Sequence, residues 1–199
     1  VVVFGCGPVG LMAQKAAWIK GASRVIALDV EDYRLAKAKA LNNVEVINAC
    51  DDDAIEKIRS MTNGRGADVV VDAVGMEAHR SFLDKAATIV RAEKGSINAL
   101  KMAGSAVRRG GIISIVGVYG YNYDNFPIAQ FFDKGITLKM GQAWEHELID
   151  HLIDLVVQKK VVLNDIITHK LPLSEAAHGY EIFNDKKDDC VKVVLQPFA

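Results

Sequence analysis

Cysteine is scarce in this 199-residue chain, and its three copies, Cys6, Cys50 and Cys190, stand far apart. An odd, scattered set supplies neither a disulfide frame nor a cysteine-rich zinc knuckle, and it reads as reduced thiols in a cytoplasmic protein. Charge of one sign is lacking too, since 24 Lys and Arg against 25 Asp and Glu leave a net charge of −1. That balance offers no basic field to hold nucleic acid or an anionic membrane, so a small molecule is the expected partner. No apolar run approaches the length of a bilayer span, and no signal-peptide pattern precedes the first strand-like run. The chain opens on that run without a Met and reads as a piece of something longer.

What is present is concentrated near the start. Val1 to Phe4 is all apolar, as in a parallel strand that helices cover on both faces. GCGPVG follows at once, with glycines at Gly5, Gly7 and Gly10. Gly5 permits a tight turn, Gly7 removes the Cβ that would hold a pyrophosphate off the backbone, and Gly10 lets the next helix pack close to the strand. A helix from about Val9 to Lys20 then aims its free N–H groups and positive dipole end at the phosphates. RVIALD is a second strand, and its last residue, Asp29, stands 19 residues after Gly10. A lone GxGxxG is weak evidence, but a strand before it, a helix after it and an acid at this distance mark a dinucleotide site.

Strand-like and helical stretches alternate from there. EDYRLAKAKALNN reads as a helix and Val44–Ala49 as a third strand. Asp51 to Asp53 stand where the next helix begins, and they are expected to cap it rather than to bind metal. TNGRG is a glycine stop signal, and Ala67–Val74 is a fourth strand closing on Gly75. Helices are predicted over Glu77–Arg91 and Ser96–Arg108, followed by a fifth strand, Gly111–Val118. A connection of about 35 residues exceeds the usual crossover, so residues 77–108 are read as a helical insert. The loop YGYNYDNFP carries aromatics without repeated basic residues and reads as a wall near the cofactor or a subunit contact. A short helix over Pro127–Lys134 and a sixth strand ending near Gln142 complete the series.

Six strands with helical crossovers predict an α/β fold, a doubly wound parallel (Rossmann) sheet in the order 3-2-1-4-5-6. The ligand of such a sheet lies at the carboxyl ends of the strands, across the switch between strands one and four. That rule nominates Gly5 to Gly10, Asp29, Gly75 and the end of strand five, Val116 to Val118. Residues 1–142 would form this domain. Residues 143–199 open with a helix, Glu145–Lys159, apolar at Leu148, Leu152, Leu155 and Val156. IITHKLPL, SEAAHGYEIFNDK and CVKVVLQP follow, a set too small for an independent core and therefore the expected segment of a second domain.

GCGPVG, Asp29, GADVVVDAVG, RRGGIISIVGV, DIITHKLPLSEAAHGYEIF and CVKVVLQP together resemble the zinc-dependent alcohol dehydrogenase family, the medium-chain dehydrogenases, along essentially the whole chain. The stretch after DAVG and the IVGVYG…NFP…KGITLKMGQ run look most like the branch with glutathione-independent formaldehyde dehydrogenase. The resemblance implies NAD-dependent hydride transfer from an alcohol or aldehyde hydrate, with zinc held by a preceding domain. The zinc motifs of that domain, a Gly-His-Glu and a close Cys set, do not occur here, so no zinc ligand is assigned. His79, His146, His151, His169 and His178 read as surface or packing residues.

The family's roles can be carried onto matching positions. Gly5, Cys6, Gly7, Pro8, Val9 and Gly10 would line the pyrophosphate, with the Val9 side chain backing the nicotinamide ring. Asp29 would take the adenosine ribose hydroxyls. Arg34 would lie beside the adenosine, an ordinary solvated helix cation being the other reading. Gly75, Val116, Gly117 and Val118 would hold the nicotinamide carboxamide. Lys192 would reach the pyrophosphate, or else be an ordinary strand lysine. The family also joins two cofactor domains through the sixth strand, which implies a homodimer or homotetramer.

Asp29 decides the expected cofactor. Its carboxylate can accept charge-assisted hydrogen bonds from ribose hydroxyls, each worth roughly 1.5–3 kcal/mol. A 2′-phosphate would set like charge about 4 Å away, at a cost on the order of 4 kcal/mol per charge pair at an effective dielectric near 20. Val30 follows Asp29, where an Arg or Ser could have rescued the phosphate. NAD is therefore expected over NADP. The competing readings are a regulatory NAD-sensing module without catalysis and a zinc-free quinone reductase of the same superfamily. The C-terminal segment speaks against the first, and Asp29 fits the NADPH preference of the second poorly.

Overall fold

A computed structural model describes residues 1–75, 97–119 and 125–198. The chain divides into two compact units, Val1–Trp144 and Glu145–Ala199. In the first unit the elements run β1 (Val2–Phe4), α1 (Pro8–Ile19), β2 (Ile26–Asp29), α2 (Asp32–Asn42), β3 (Glu45–Asn48), α3 (Ala54–Met61) and β4 (Ala67–Asp72). Beyond the undescribed residues come α4 (Asn98–Ala106), β5 (Val107–Ile115), α5 (Ile128–Lys134) and β6 (Thr137–Met140).

These six strands form one parallel sheet in the order β3-β2-β1-β4-β5-β6, the order expected from the sequence. The apolar runs that predicted the strands supply the core. Val2, Phe4, Ile26, Leu28, Val70 and Ile113 are essentially inaccessible, and Ile58, Leu100, Ala103 and Phe131 from the helices join them in one cluster. Full burial of each large side chain contributes roughly 1.5–3 kcal/mol, which is what lets strands this short hold their register. That register aligns the strand ends. Phe4 pairs with Leu28 and with Asp72, Asp29 with Asn48, and Asp72 with Ile115. The glycine turn, the Asp29 side chain and the segments after β4 and β5 therefore leave the sheet along a single edge.

Three local expectations need correction, and one cannot be compared. The helix predicted to end at Arg108 ends at Ala106, and β5 begins at Val107 and stops at Ile115 instead of running to Val118. The reason is a break in pairing. Ala67 faces Val107 while Val69 faces Ile112, so Arg108–Gly111 bulge out between two paired stretches. Gly110 takes a left-handed conformation there, with φ +65°. Of the acids before α3, Asp53 does stand at the N-cap, but not as a side-chain cap. Asp53 makes no side-chain capping bond, and Asp51 and Asp53 instead each hold Lys57 at 2.8 Å. The helix predicted over Glu77–Arg91 lies outside the described residues.

The second unit contains α6 (Glu145–Val157), β7 (His169–Pro172), α7 (Ala176–Asn184) and β8 (Val193–Gln196). β7 and β8 pair in parallel as a two-stranded sheet. α7 lies against it through Gly179, where a Cβ would stand 3.2 Å from Val193 and 3.3 Å from Leu171. Thr168 ties the two strand starts together. Its hydroxyl oxygen accepts the N–H of Val191 at 3.0 Å and of Lys192 at 3.2 Å, and its own N–H donates to the Lys192 carbonyl at 2.9 Å. No residue of α6 is buried, so its apolar side is presented within this unit without a cover.

Candidate cofactor site

The glycine turn is fixed by contacts that only glycine allows. Gly5 has φ +94° and donates its N–H to the Leu28 carbonyl at 2.7 Å, so the chain turns sharply off β1 while still bonded to β2. A Cβ on Gly10 would stand 1.8 Å from the Gly5 carbonyl oxygen, which bars every side chain at the start of α1. Gly7 is different, because a Cβ there meets nothing nearer than the Arg34 guanidinium, 3.7 Å away. Its empty side is open ground over the turn, flanked by a cation. Pro8 opens α1 without an N–H, and the first intrahelical bond runs from Leu11 N–H to Gly7 O at 2.9 Å. The N–H groups of Val9 and Gly10 precede that bond and face the turn, as a phosphate-binding helix start requires.

Asp29 is joined directly to this turn. Its Oδ2 accepts the Cys6 N–H at 2.6 Å, and its Oδ1 accepts the N–H groups of Val30 at 2.7 Å and Glu31 at 3.0 Å. The Arg34 guanidinium lies over Tyr33, whose hydroxyl accepts the Arg34 Nε–H at 3.0 Å. Burial raises the Tyr33 pKa although the Arg34 charge opposes it, so the phenol stays protonated and available as that acceptor.

Behind the turn runs a buried polar chain that the sequence did not reveal. Gln14, fully buried, donates to Cys6 Sγ at 3.5 Å, and Asn42 Nδ2 donates to Gln14 Oε1 at 2.8 Å and to the Leu11 carbonyl at 3.0 Å. The chain fastens α1 and α2 to the underside of the turn. Burial, reinforced by the Asp29 charge, pushes the Cys6 thiol far above its ordinary pKa, so Cys6 is a packed neutral group.

The other half of the edge is built by Asp72, which is fully buried at the end of β4. Its Oδ1 accepts the N–H of Val74 at 2.9 Å and of Gly75 at 3.2 Å, and its Oδ2 accepts the Tyr119 hydroxyl at 2.6 Å. Its main-chain carbonyl accepts both Val116 N–H and Gly117 N–H at 2.9 Å. Gly75 and Gly117 touch, and a Cβ on Gly117 would stand 2.2 Å from the Gly75 nitrogen. The nominated residues Gly75, Val116, Gly117 and Val118 are thus brought together. Val9, Val116 and Val118 are 52%, 48% and 61% exposed, an apolar supply at an otherwise polar edge. Tyr119, expected as part of a wall, spends its hydroxyl on Asp72; residues 120–124 of that loop lie outside the described residues. Lys192 belongs to the second unit, with its backbone held by Thr168. The signal for Asp72 was available as an acid closing an otherwise apolar strand, VVVD, but nothing in the sequence paired it with Tyr119.

Among the described residues, no three His, Cys, Asp or Glu side chains converge to hold a metal ion. The donor groups of the described residues therefore do not fit a zinc site. Cys6 and Cys190 are buried, Cys50 is exposed, and none of the three is joined in a disulfide. Also among the described residues, no helix is long and apolar enough to cross a membrane.

A family model described as zinc-binding dehydrogenase matches residues 8–97, which takes in α1, Asp29 and Gly75. The chain is 46% identical over 198 residues to an uncharacterized zinc-type alcohol dehydrogenase-like protein, AdhB, of Bacillus subtilis, covering 99% of this chain and 52% of that protein. It is 30% identical to an L-threonine 3-dehydrogenase of Bacillus licheniformis, covering 99% of this chain and 51% of that one. Among solved structures, the alcohol dehydrogenase TADH from Thermus sp. ATN1 superposes with a TM-score of 0.80 at 34% identity, over 98% of this chain and 49% of that one. The chain spans about half the length of the relatives it matches. The matched stretch, the shared sheet and the relatives' identity make this chain similar to zinc-type alcohol dehydrogenases over the half of their length that it spans.

Proposed function

We propose that this chain is the NAD-binding part of a dehydrogenase that moves a hydride from an alcohol, or an aldehyde hydrate, to NAD. The observation that carries this reading is the Asp29 carboxylate fastened to the glycine turn through the 2.6 Å bond from Cys6. That bond sets an acid beside a phosphate-binding helix start at the switch of a parallel sheet, the arrangement a dinucleotide needs. NAD, when bound, supplies the hydride acceptor.

The chain's own residues bind and orient it. The helix start at Val9 and Gly10 and the open side of Gly7 suit the pyrophosphate, with the Arg34 guanidinium next to it. With two N–H partners on Oδ1 and one on Oδ2, the Asp29 carboxylate keeps room for one ribose hydroxyl. A second hydroxyl requires a backbone amide to give way. Val9, Val116 and Val118 offer an apolar floor for the nicotinamide ring, and Gly75 and Gly117 let backbone groups come close to it. Such fixing of the ring is how a cofactor domain contributes to rate. The IVGVYG and KGITLKMGQ runs support the formaldehyde dehydrogenase-like branch, which a comparison of kcat/KM for formaldehyde against longer alcohols in the full-length protein tests. The odd, scattered cysteines support a cytoplasmic location.

Asp29→Ser tests the cofactor reading by calorimetric titration with NAD and NADP. NAD is expected to bind about tenfold more weakly, after loss of one charge-assisted hydrogen bond, while NADP gains relative to it. A variant with unchanged cofactor preference overturns the assignment.

A further inference from the structure

We infer that the buried Asp72 carboxylate and the Tyr119 hydroxyl are a positioning pair that sets the nicotinamide end of the cofactor site, an inference resting on the cofactor reading above. Asp72 gathers five hydrogen bonds from two strand ends and a loop. Its side chain takes Val74, Gly75 and Tyr119, and its main-chain carbonyl takes Val116 and Gly117. Each partner therefore lies in, or next to, the segments nominated to meet the nicotinamide.

A fully buried carboxylate is costly unless it is well satisfied, and here both oxygens are engaged. A packing role alone does not call for this charge. The main-chain bonds from Val116 and Gly117 already continue the pairing of β5 with β4, and an apolar residue would fill the space more cheaply. What the side chain adds is direction. It draws the Val74 and Gly75 N–H groups inward, and the Tyr119 hydroxyl then pins the segment after β5 against the same carboxylate. Gly75, left-handed at φ +63°, and Gly117 approach each other more closely than a Cβ on either would allow. Without Tyr119 the backbone bonds of Val116 and Gly117 to Asp72 would still join the two segments, but the chain beyond Gly117 would lose its anchor on the carboxylate.

The pair should therefore matter to the nicotinamide half of the ligand and not to the adenosine half. Tyr119→Phe and Asp72→Asn both preserve shape, the second keeping an acceptor for Val74 and Gly75. ADP, which lacks the nicotinamide, and NADH are titrated separately into the full-length protein and both variants, with thermal midpoints recorded alongside. NADH is expected to bind about tenfold more weakly to each variant, the effect of one charge-assisted bond, while ADP affinity stays within about twofold. Parallel loss of ADP and NADH affinity would show a general structural role and overturn the inference, as would unchanged NADH affinity in both variants. Wild-type protein that binds neither ligand overturns the cofactor reading, and this inference with it.

Discussion

At the scale of single residues, Cys6 shows how one position in the turn serves two masters. Its N–H orients the Asp29 carboxylate, and its thiol accepts from the buried amide of Gln14. Because burial and the Asp29 charge hold that thiol protonated, it is a poor nucleophile as well as an inaccessible one. Cys190 is equally buried, whereas Cys50 is exposed. Iodoacetamide at pH 8 should therefore modify Cys50 alone in the native protein, and Cys6 and Cys190 only after denaturation, as read by peptide mass mapping. Native labelling of Cys6 would contradict the buried polar chain. The turn itself was legible in the sequence because glycine spacing encodes local geometry, and the acid at Asp29 because strand length fixes where it emerges. Gln14 and Asn42 were not legible. A lone amide in a helix rich in Ala and Lys reads as solvated, and only the packing of α1 on α2 makes the two amides each other's partners.

At the scale of elements, strands proved readable wherever both neighbours bury them, and less so where pairing is interrupted. RRGG reads as the end of a helix followed by a turn, yet Val107 already pairs with Ala67 before the bulge. The pairing depends on β4, which lies about forty residues earlier in the chain, so no local pattern announces it. α4 ends at this junction, and its last carbonyls would be orphaned there without help. Lys134, from α5, supplies it. Its ammonium donates to Gly104 O at 2.6 Å, Val107 O at 2.9 Å and Ser105 O at 3.4 Å. Burial pulls the Lys134 pKa down, with Arg59 and Arg109 adding to the effect and the Asp133 charge opposing it. Lys134→Met keeps the stem but removes the donors, and it should cost about 2 kcal/mol. A fall of roughly 5 °C in the calorimetric midpoint would match that loss, and an unchanged midpoint would show that solvent satisfies these carbonyls equally well.

At the scale of the whole molecule, the sheet ends on an edge that calls for a partner. β6 pairs with β5 on one side only, and no other strand among the described residues of this unit covers its outer edge. Met140 on that strand is 63% exposed, and on the preceding α5 Phe132 is 87% exposed. An open edge with unpaired backbone groups invites strand addition, and a neighbouring apolar surface favours burial in the same contact. Reading Ile136–Gln142 as a sixth strand implies the same edge, because no further strand among the described residues of this unit pairs with it. A second copy of this unit, edge to edge, would continue the sheet across a twofold axis and cover both features at once. The full-length protein should therefore sediment and scatter light as at least a dimer at micromolar concentration, and amides of Thr137–Met140 should exchange slowly. A monomeric mass together with fast exchange along β6 would mean that the edge is left to solvent and that the assembly inferred for this chain does not form through it.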